Sequence, residues 1–102
     1  MTDHKIEISP QAEQELIIIC GRISVDNGAK VALKHKRRIK NHINLLKKTP
    51  YIGEEIGRGY RKLSVPPWIV AYRVEEDCVK IVRIFDGRQD WQKILFALHS
   101  SP

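Results

Sequence analysis

The stretch RIFDGRQDW, Arg83 to Trp91, closes the last apolar run of the chain with a glycine and a set of polar groups around one tryptophan. Its arginines invite an anion-binding reading, because a guanidinium offers N–H donors in a planar fork that matches carboxylate or phosphate. Period-two alternation places Arg61, Leu63 and Val65 on one side of a strand, and Ile81, Arg83 and Phe85 on one side of another. Two readings fit such arginines. In one, each stem lies on apolar surface at a strand end with its head in water. In the other, Arg61, Arg83 and Arg88 gather on the sheet face that the helices leave open and form a patch for an anionic group; Lys62 is a further candidate cation. Tyr72 completes this set of candidate binding residues. It shares one side of its strand with Trp68, a pair expected to fill the core or its rim, with base stacking as the alternative.

The remaining reactive side chains do not assemble into a catalytic pattern. Histidines stand at 4, 35, 42 and 99. His35 and His42 are seven residues apart and can share a helix face, but no third ligand lies near them in sequence, so no metal is implied. Glu75, Glu76 and Asp77 are consecutive, as expected of a hairpin turn rather than of an acid and base held in different environments. Cys20 and Cys78 lie far apart within apolar surroundings, which predicts buried free thiols. In DGRQDW, Gly87 is expected to take the positive φ of a strand exit and Asp86 to cap the helix that follows, with Asp90 and Trp91 as capping and docking residues.

These groups must be positioned by a small set of elements. KIEIS (5–9) alternates polar and apolar residues and predicts a first strand. Ser9-Pro10 then opens a helix, with serine free to cap N–H groups and proline at the position where its missing donor costs nothing. Ala12, Leu16, Ile19 and Ile23 form that helix's buried stripe. VDNG (25–28) breaks it, with Asp26 or Asn27 as the cap of a second helix over 28–48, whose inner face carries Ala32, Ile39, Ile43 and Leu46 and which ends at Thr49-Pro50. A loop with Gly53, Gly57 and Gly59 follows. YRKLSV, WIVAYRV and CVKIVRIF, separated by PP and EED, predict a three-stranded antiparallel meander. A last helix is expected over 88–98, with Trp91, Ile94, Leu95 and Leu98 inward, before a loose tail HSSP. The fold class is therefore α+β: an N-terminal strand, a two-helix antiparallel hairpin on a mostly antiparallel twisted sheet, and a short C-terminal helix.

At 102 residues the chain is expected to be one domain, 1–102, with a single core. It has no apolar run of membrane-spanning or secretory length, which predicts a soluble cytoplasmic protein. The net charge of +6 is uneven: residues 30–48 hold eight of the 18 Lys and Arg and no acid, while the other ten face twelve Asp and Glu. Such a segment either attracts nucleic acid or an acidic protein, or is a solvated helix face.

Taken in order, SPQAEQEL after a first strand, a basic helix ending at TP, and YRKLSVPPWIVAYRVEEDCVKIVRIFDGRQDW resemble the RelE/ParE superfamily of type II toxins. The resemblance implies a helical hairpin on a twisted sheet, no cofactor, and a cognate antitoxin, ParD-like or RelB-like, that folds on binding. It also implies one of two targets. RelE-like members cut messenger RNA on the ribosome; ParE-like members poison DNA gyrase by binding. As a ribonuclease the chain would use Arg61, Arg83 and Arg88 as cations, but it lacks proton-transfer groups apart from His99. GRQDW closing the last strand resembles the ParE branch, although Asp86 stands where many members carry histidine. The resemblance thus favours a gyrase inhibitor that blocks replication over the messenger endoribonuclease or a member without toxicity.

Overall fold

The computed structural model describes residues 3–99, apart from the side chains of Leu98 and His99. The expectations placed on the Leu98 side chain and on 100–102 fall outside the described residues. The chain runs β1 (Lys5–Ile8), α1 (Pro10–Asn27), α2 (Ala29–Leu45), β2 (Glu54–Gly57), β3 (Tyr60–Val65), β4 (Trp68–Glu75), β5 (Cys78–Asp86) and α3 (Trp91–His99). The strands form one sheet in the order β1-β5-β4-β3-β2. β1 runs parallel to β5 and every other pair is antiparallel.

Ser9 acts at the start of α1 as its type and place predict. Its Oγ accepts from Ala12 N–H at 3.0 Å and donates to the Val82 carbonyl at 2.7 Å, while its own N–H reaches the Ile81 carbonyl at 2.9 Å. One residue thus caps a helix and seals the edge of β5 where β1 ends. The helices are joined by Gly28 alone, and neither Asp26 nor Asn27 caps α2. At φ 94° and ψ 161° Gly28 occupies a region closed to residues with a Cβ, which is what makes so short a joint possible. α2 stops at Leu45, before Thr49, whose N–H and hydroxyl both donate to the Leu45 carbonyl.

The expected meander is β3-β4-β5, and the glycine loop before it adds a strand. β2 pairs with β3 through a two-residue turn, Arg58-Gly59, in which both residues have positive φ. Each face of the sheet carries its own apolar cluster. α1 and α2 pack on Val65, Trp68, Val70, Tyr72 and Ile81. On the other face, Tyr60, Ile69, Ala71 and Phe85 close around Leu95 of α3. That face is therefore covered, contrary to the open side expected from the sequence. The inward placement of Leu95 explains why: fully buried, it recruits the short helix that carries it.

A bulge in β5 decides which side chains share a face. Ala71 lies opposite Arg83, whereas the next residue, Tyr72, lies opposite Ile81, so Val82 is the extra residue. Ile81 therefore faces the helical hairpin while Arg83 and Phe85 belong to the α3 side, and strict alternation fails at this point. Cys20 and Cys78 are free and half-buried rather than buried. Burial pushes the Cys78 thiol up, and the neighbouring Glu7 carboxylate adds to it.

Candidate interaction surface

Of the five residues singled out by the sequence, Arg61 and Tyr72 meet at Gly53, while Lys62, Arg83 and Arg88 stand apart from them. Arg61 lies opposite Tyr72, on the side of β3 that carries Leu63 and Val65 and faces the hairpin. Its guanidinium donates to the Gly53 carbonyl at 2.8 Å and the Tyr51 carbonyl at 3.2 Å, and pairs with Glu55 at 3.4 Å. It also lies 5.1 Å from the centre of the Tyr51 ring. Arg61 is thus a brace for the segment entering β2, with 21% of its side chain still in solvent. Lys62 points to the opposite face, where its Nζ sits 3.3 Å from Glu54 and 5.5 Å from the Trp91 ring centre.

Tyr72, a candidate binding residue by sequence, sits in the core beneath the helical hairpin. It is fully buried, and its hydroxyl accepts the Gly53 N–H at 2.8 Å. Gly53 has to be glycine here, because a Cβ would sit 2.6 Å from the Lys62 carbonyl and strike the Tyr72 hydroxyl. Burial holds the Tyr72 phenol above its ordinary pKa against the lowering effect of the Gly53 bond and of Arg61.

Arg83 does not present its guanidinium to a partner either. It is 8% exposed and donates through Nε at 2.8 Å and Nη2 at 2.7 Å to Glu15 Oε2 on α1. The other Glu15 oxygen accepts the Ile84 N–H at 2.8 Å, so one carboxylate holds both the arginine and the edge of β5 beyond β1, while Arg83 Nη1 is buried without a hydrogen-bond partner. Stacking against Phe85 at 4.8 Å completes the socket. Arg88 is exposed, but its fork is closed onto Asp86 at 3.0 and 2.6 Å. The Arg88 side chain and backbone N–H hold the Asp86 carboxyl below the usual carboxylate range. Asp86 therefore caps the turn at Arg88, while α3 begins later, at Trp91. Gly87 is required by contact rather than by positive φ: its N–H donates to the Pro67 carbonyl at 2.7 Å, and a Cβ would stand 2.9 Å from that oxygen. Arg61, Arg83 and Arg88 thus do not form one patch.

The structure assembles a different cationic rim around the α3 side. Arg58 at the β2–β3 turn lies 5.0 Å over the Phe96 ring and donates to the Phe96 carbonyl at 3.2 Å. Arg73 lies 4.5 Å over the Tyr60 ring and donates to the Arg58 carbonyl at 2.9 Å. With Lys62 against Trp91, three cations border α3, each resting on an aromatic face. Arg73 was legible in WIVAYRV, where alternation sets it beside Ile69 and Ala71. Arg58 had no such signal, since its place depends on the unexpected strand β2.

Among the described residues this rim carries no histidine, and its carboxylate, Glu54, is paired with Lys62 at 3.3 Å. His35 Nδ1 accepts from Trp68 Nε1–H at 3.2 Å, and His42 Nδ1 bonds the Arg38 carbonyl one helical turn back. The His99 side chain lies outside the described residues. No group of His, Cys, Asp and Glu among the described residues is placed to hold a metal ion, and no described helix is long and apolar enough to cross a membrane.

This α+β architecture is shared by solved structures. A chain of the chromosomal ParDE toxin–antitoxin system from P. aeruginosa superposes with a TM-score of 0.74 at 23% identity, covering 81% of this chain and 95% of that one. YafQ from E. coli superposes with a TM-score of 0.55 at 19% identity, over 91% and 98% of the two chains. In sequence, the model for the ParE toxin of type II toxin–antitoxin systems, parDE, matches residues 6–91. Toxin ParE3 of Caulobacter vibrioides is 38% identical over 68 residues, 64% of this chain and 68% of that protein. The chain belongs to the ParE toxin family and is the toxin of a type II toxin–antitoxin system. Membership implies a cognate antitoxin.

Proposed function

We propose that this toxin inhibits DNA gyrase by binding it, blocks replication in that way, and is neutralised in the cytoplasm by a ParD-like antitoxin. One observation carries the reading. The sheet face opposite the helical hairpin is an apolar cluster closed by α3, the cations at its rim rest on aromatic rings, and the carboxylate beside them, Glu54, is tied up in an ion pair with Lys62 at 3.3 Å. Metal-free cleavage of RNA needs a group to take the 2′-hydroxyl proton and another to protonate the leaving oxygen. Stacked guanidinium and ammonium groups serve instead to bind, since they hold a carboxylate or phosphate without reacting with it. Family membership favours the same direction, and the ribosome-dependent nuclease is the reading it leaves behind.

The test is direct. Purified toxin added to gyrase and relaxed plasmid is expected to inhibit supercoiling or to accumulate cleaved complexes, and added antitoxin to reverse the effect. Messenger cleavage in a translating extract, with supercoiling untouched, would overturn the proposal.

A further inference from the structure

The outer side of α2 is turned away from the sheet and from the α3 rim. The residues of α2 that face the core are Ala32, Ile39 and Ile43. On the side turned away from them lie Lys30, Lys34, Arg37, Arg38 and Asn41, all exposed. No acid interrupts residues 30–48, and of the eight cations there only Lys40 forms an ion pair among the described residues, with Glu13 at 3.8 Å. An unpaired row of this kind costs self-repulsion, which an anionic partner relieves.

We propose that this side of α2 binds the phosphate backbone of duplex DNA without regard to sequence. The row from Lys30 to Asn41 extends ~17 Å at ~1.5 Å per residue. One DNA strand carries a phosphate every ~3.4 Å of axis, so the row faces roughly five of them. A protein partner fits less well. Protein interfaces are depleted in lysine and anchored by apolar groups in pockets. Here a depression of about 340 Å³ is lined by Lys30, Lys34 and Arg37 with Val31 and Leu33, side chains already half in solvent. A second copy of the chain would oppose like charge to like charge. The inference does not depend on gyrase being the target, but it adds a contact to DNA that a toxin acting on a DNA enzyme can use.

Binding is read by fluorescence anisotropy with labelled 20-base-pair duplexes of two unrelated sequences, with no gyrase present. With about four phosphates neutralised, affinity is expected to fall roughly 100-fold between 50 and 200 mM salt, equally for both sequences. The variant Lys30→Gln, Lys34→Gln, Arg37→Gln, Arg38→Gln is expected to lose at least tenfold in affinity and most of the salt slope, with its helical circular dichroism retained. A control with the same charge change elsewhere, at Lys5, Arg22, Lys80 and Lys93, is expected to retain both. Equal losses in the two variants would overturn the proposal in favour of net charge. So would binding of polyglutamate through the α2 row without binding of DNA. Supercoiling inhibition, measured in parallel, keeps the two readings apart: inhibition without DNA binding sinks this inference alone, and DNA binding without inhibition sinks the gyrase reading alone.

Discussion

Arg83 and Tyr72 show how a polar residue quoted for its chemistry can be consumed by the fold. Removing the Arg83 guanidinium strands the Glu15 carboxylate, whose side chain is only 17% exposed. Because a charge left alone in such a site costs more than the pair contributes, Arg83→Ala is expected to destabilise by about 3–5 kcal/mol in urea denaturation. The double variant Arg83→Ala, Glu15→Ala should recover part of that loss, and a fully additive pair would argue against coupling. Toxicity lost by Arg83→Ala thus reports folding, not target contact. Tyr72→Phe removes the acceptor of the Gly53 N–H and is expected to cost about 1–3 kcal/mol at neutral pH. It also changes the response to alkali. The phenol is held above its unfolded value of ~10, so the folded chain keeps a proton that the unfolded chain gives up. Stability is therefore complete below pH ~10 and declines as pH rises toward the folded-state value. In a pH series of denaturation midpoints, that decline should be weaker in Tyr72→Phe than in the parent; an unchanged slope would assign it to other groups.

Among the elements, α3 changes the functional picture most, because it converts an expected open sheet face into a second core. Leu95 is wholly buried against Tyr60, Ile69 and Phe85. Leu95→Ala is expected to cost about 2–5 kcal/mol and to raise binding of an apolar dye before global unfolding, as α3 detaches from the sheet. A cooperative loss with no dye-binding phase would make α3 part of a single folding unit with the hairpin. The sequence was informative wherever a local rule acts alone: the Ser9-Pro10 start, the apolar stripes of α1 and α2, and the run of β3, β4 and β5 all stand as expected. It was silent where tertiary contact overrides alternation. The bulge at Val82 moves Arg83 to the other face from Ile81, and β2 exists because β3 offers it an edge, not because EEIG favours a strand. Gly87 looked like a turn glycine, yet its constraint is the Pro67 carbonyl, a contact no pattern within DGRQDW contains.

At the scale of the whole molecule the chain is a slab of 39 × 39 × 21 Å, with the hairpin on one broad side of the sheet and α3 on the other. Cations therefore occupy two surfaces that one partner can hardly cover at once. The α2 row is a continuous field of exposed charge, suited to a backbone of phosphates. The rim of Arg58, Lys62 and Arg73 is sparse, and its groups are held in place by Phe96, Trp91 and Tyr60, which suits specific contact with a folded protein. If gyrase is engaged through the α3 side, Arg58→Ala with Lys62→Ala should weaken supercoiling inhibition about tenfold, the loss expected for ~1.4 kcal/mol of contact energy. Arg88→Ala should leave inhibition unchanged, since that fork is closed onto Asp86 within its own turn. Raising salt separates the two surfaces further. Exposed cations of the α2 row lose their influence over a Debye length of ~8 Å at physiological ionic strength, whereas Lys62 and Arg73 at the rim are half-buried against the rings beneath them. Inhibition that falls with salt in the parent and the rim variant alike, with no tenfold difference between them, would move the gyrase contact from the α3 side to α2.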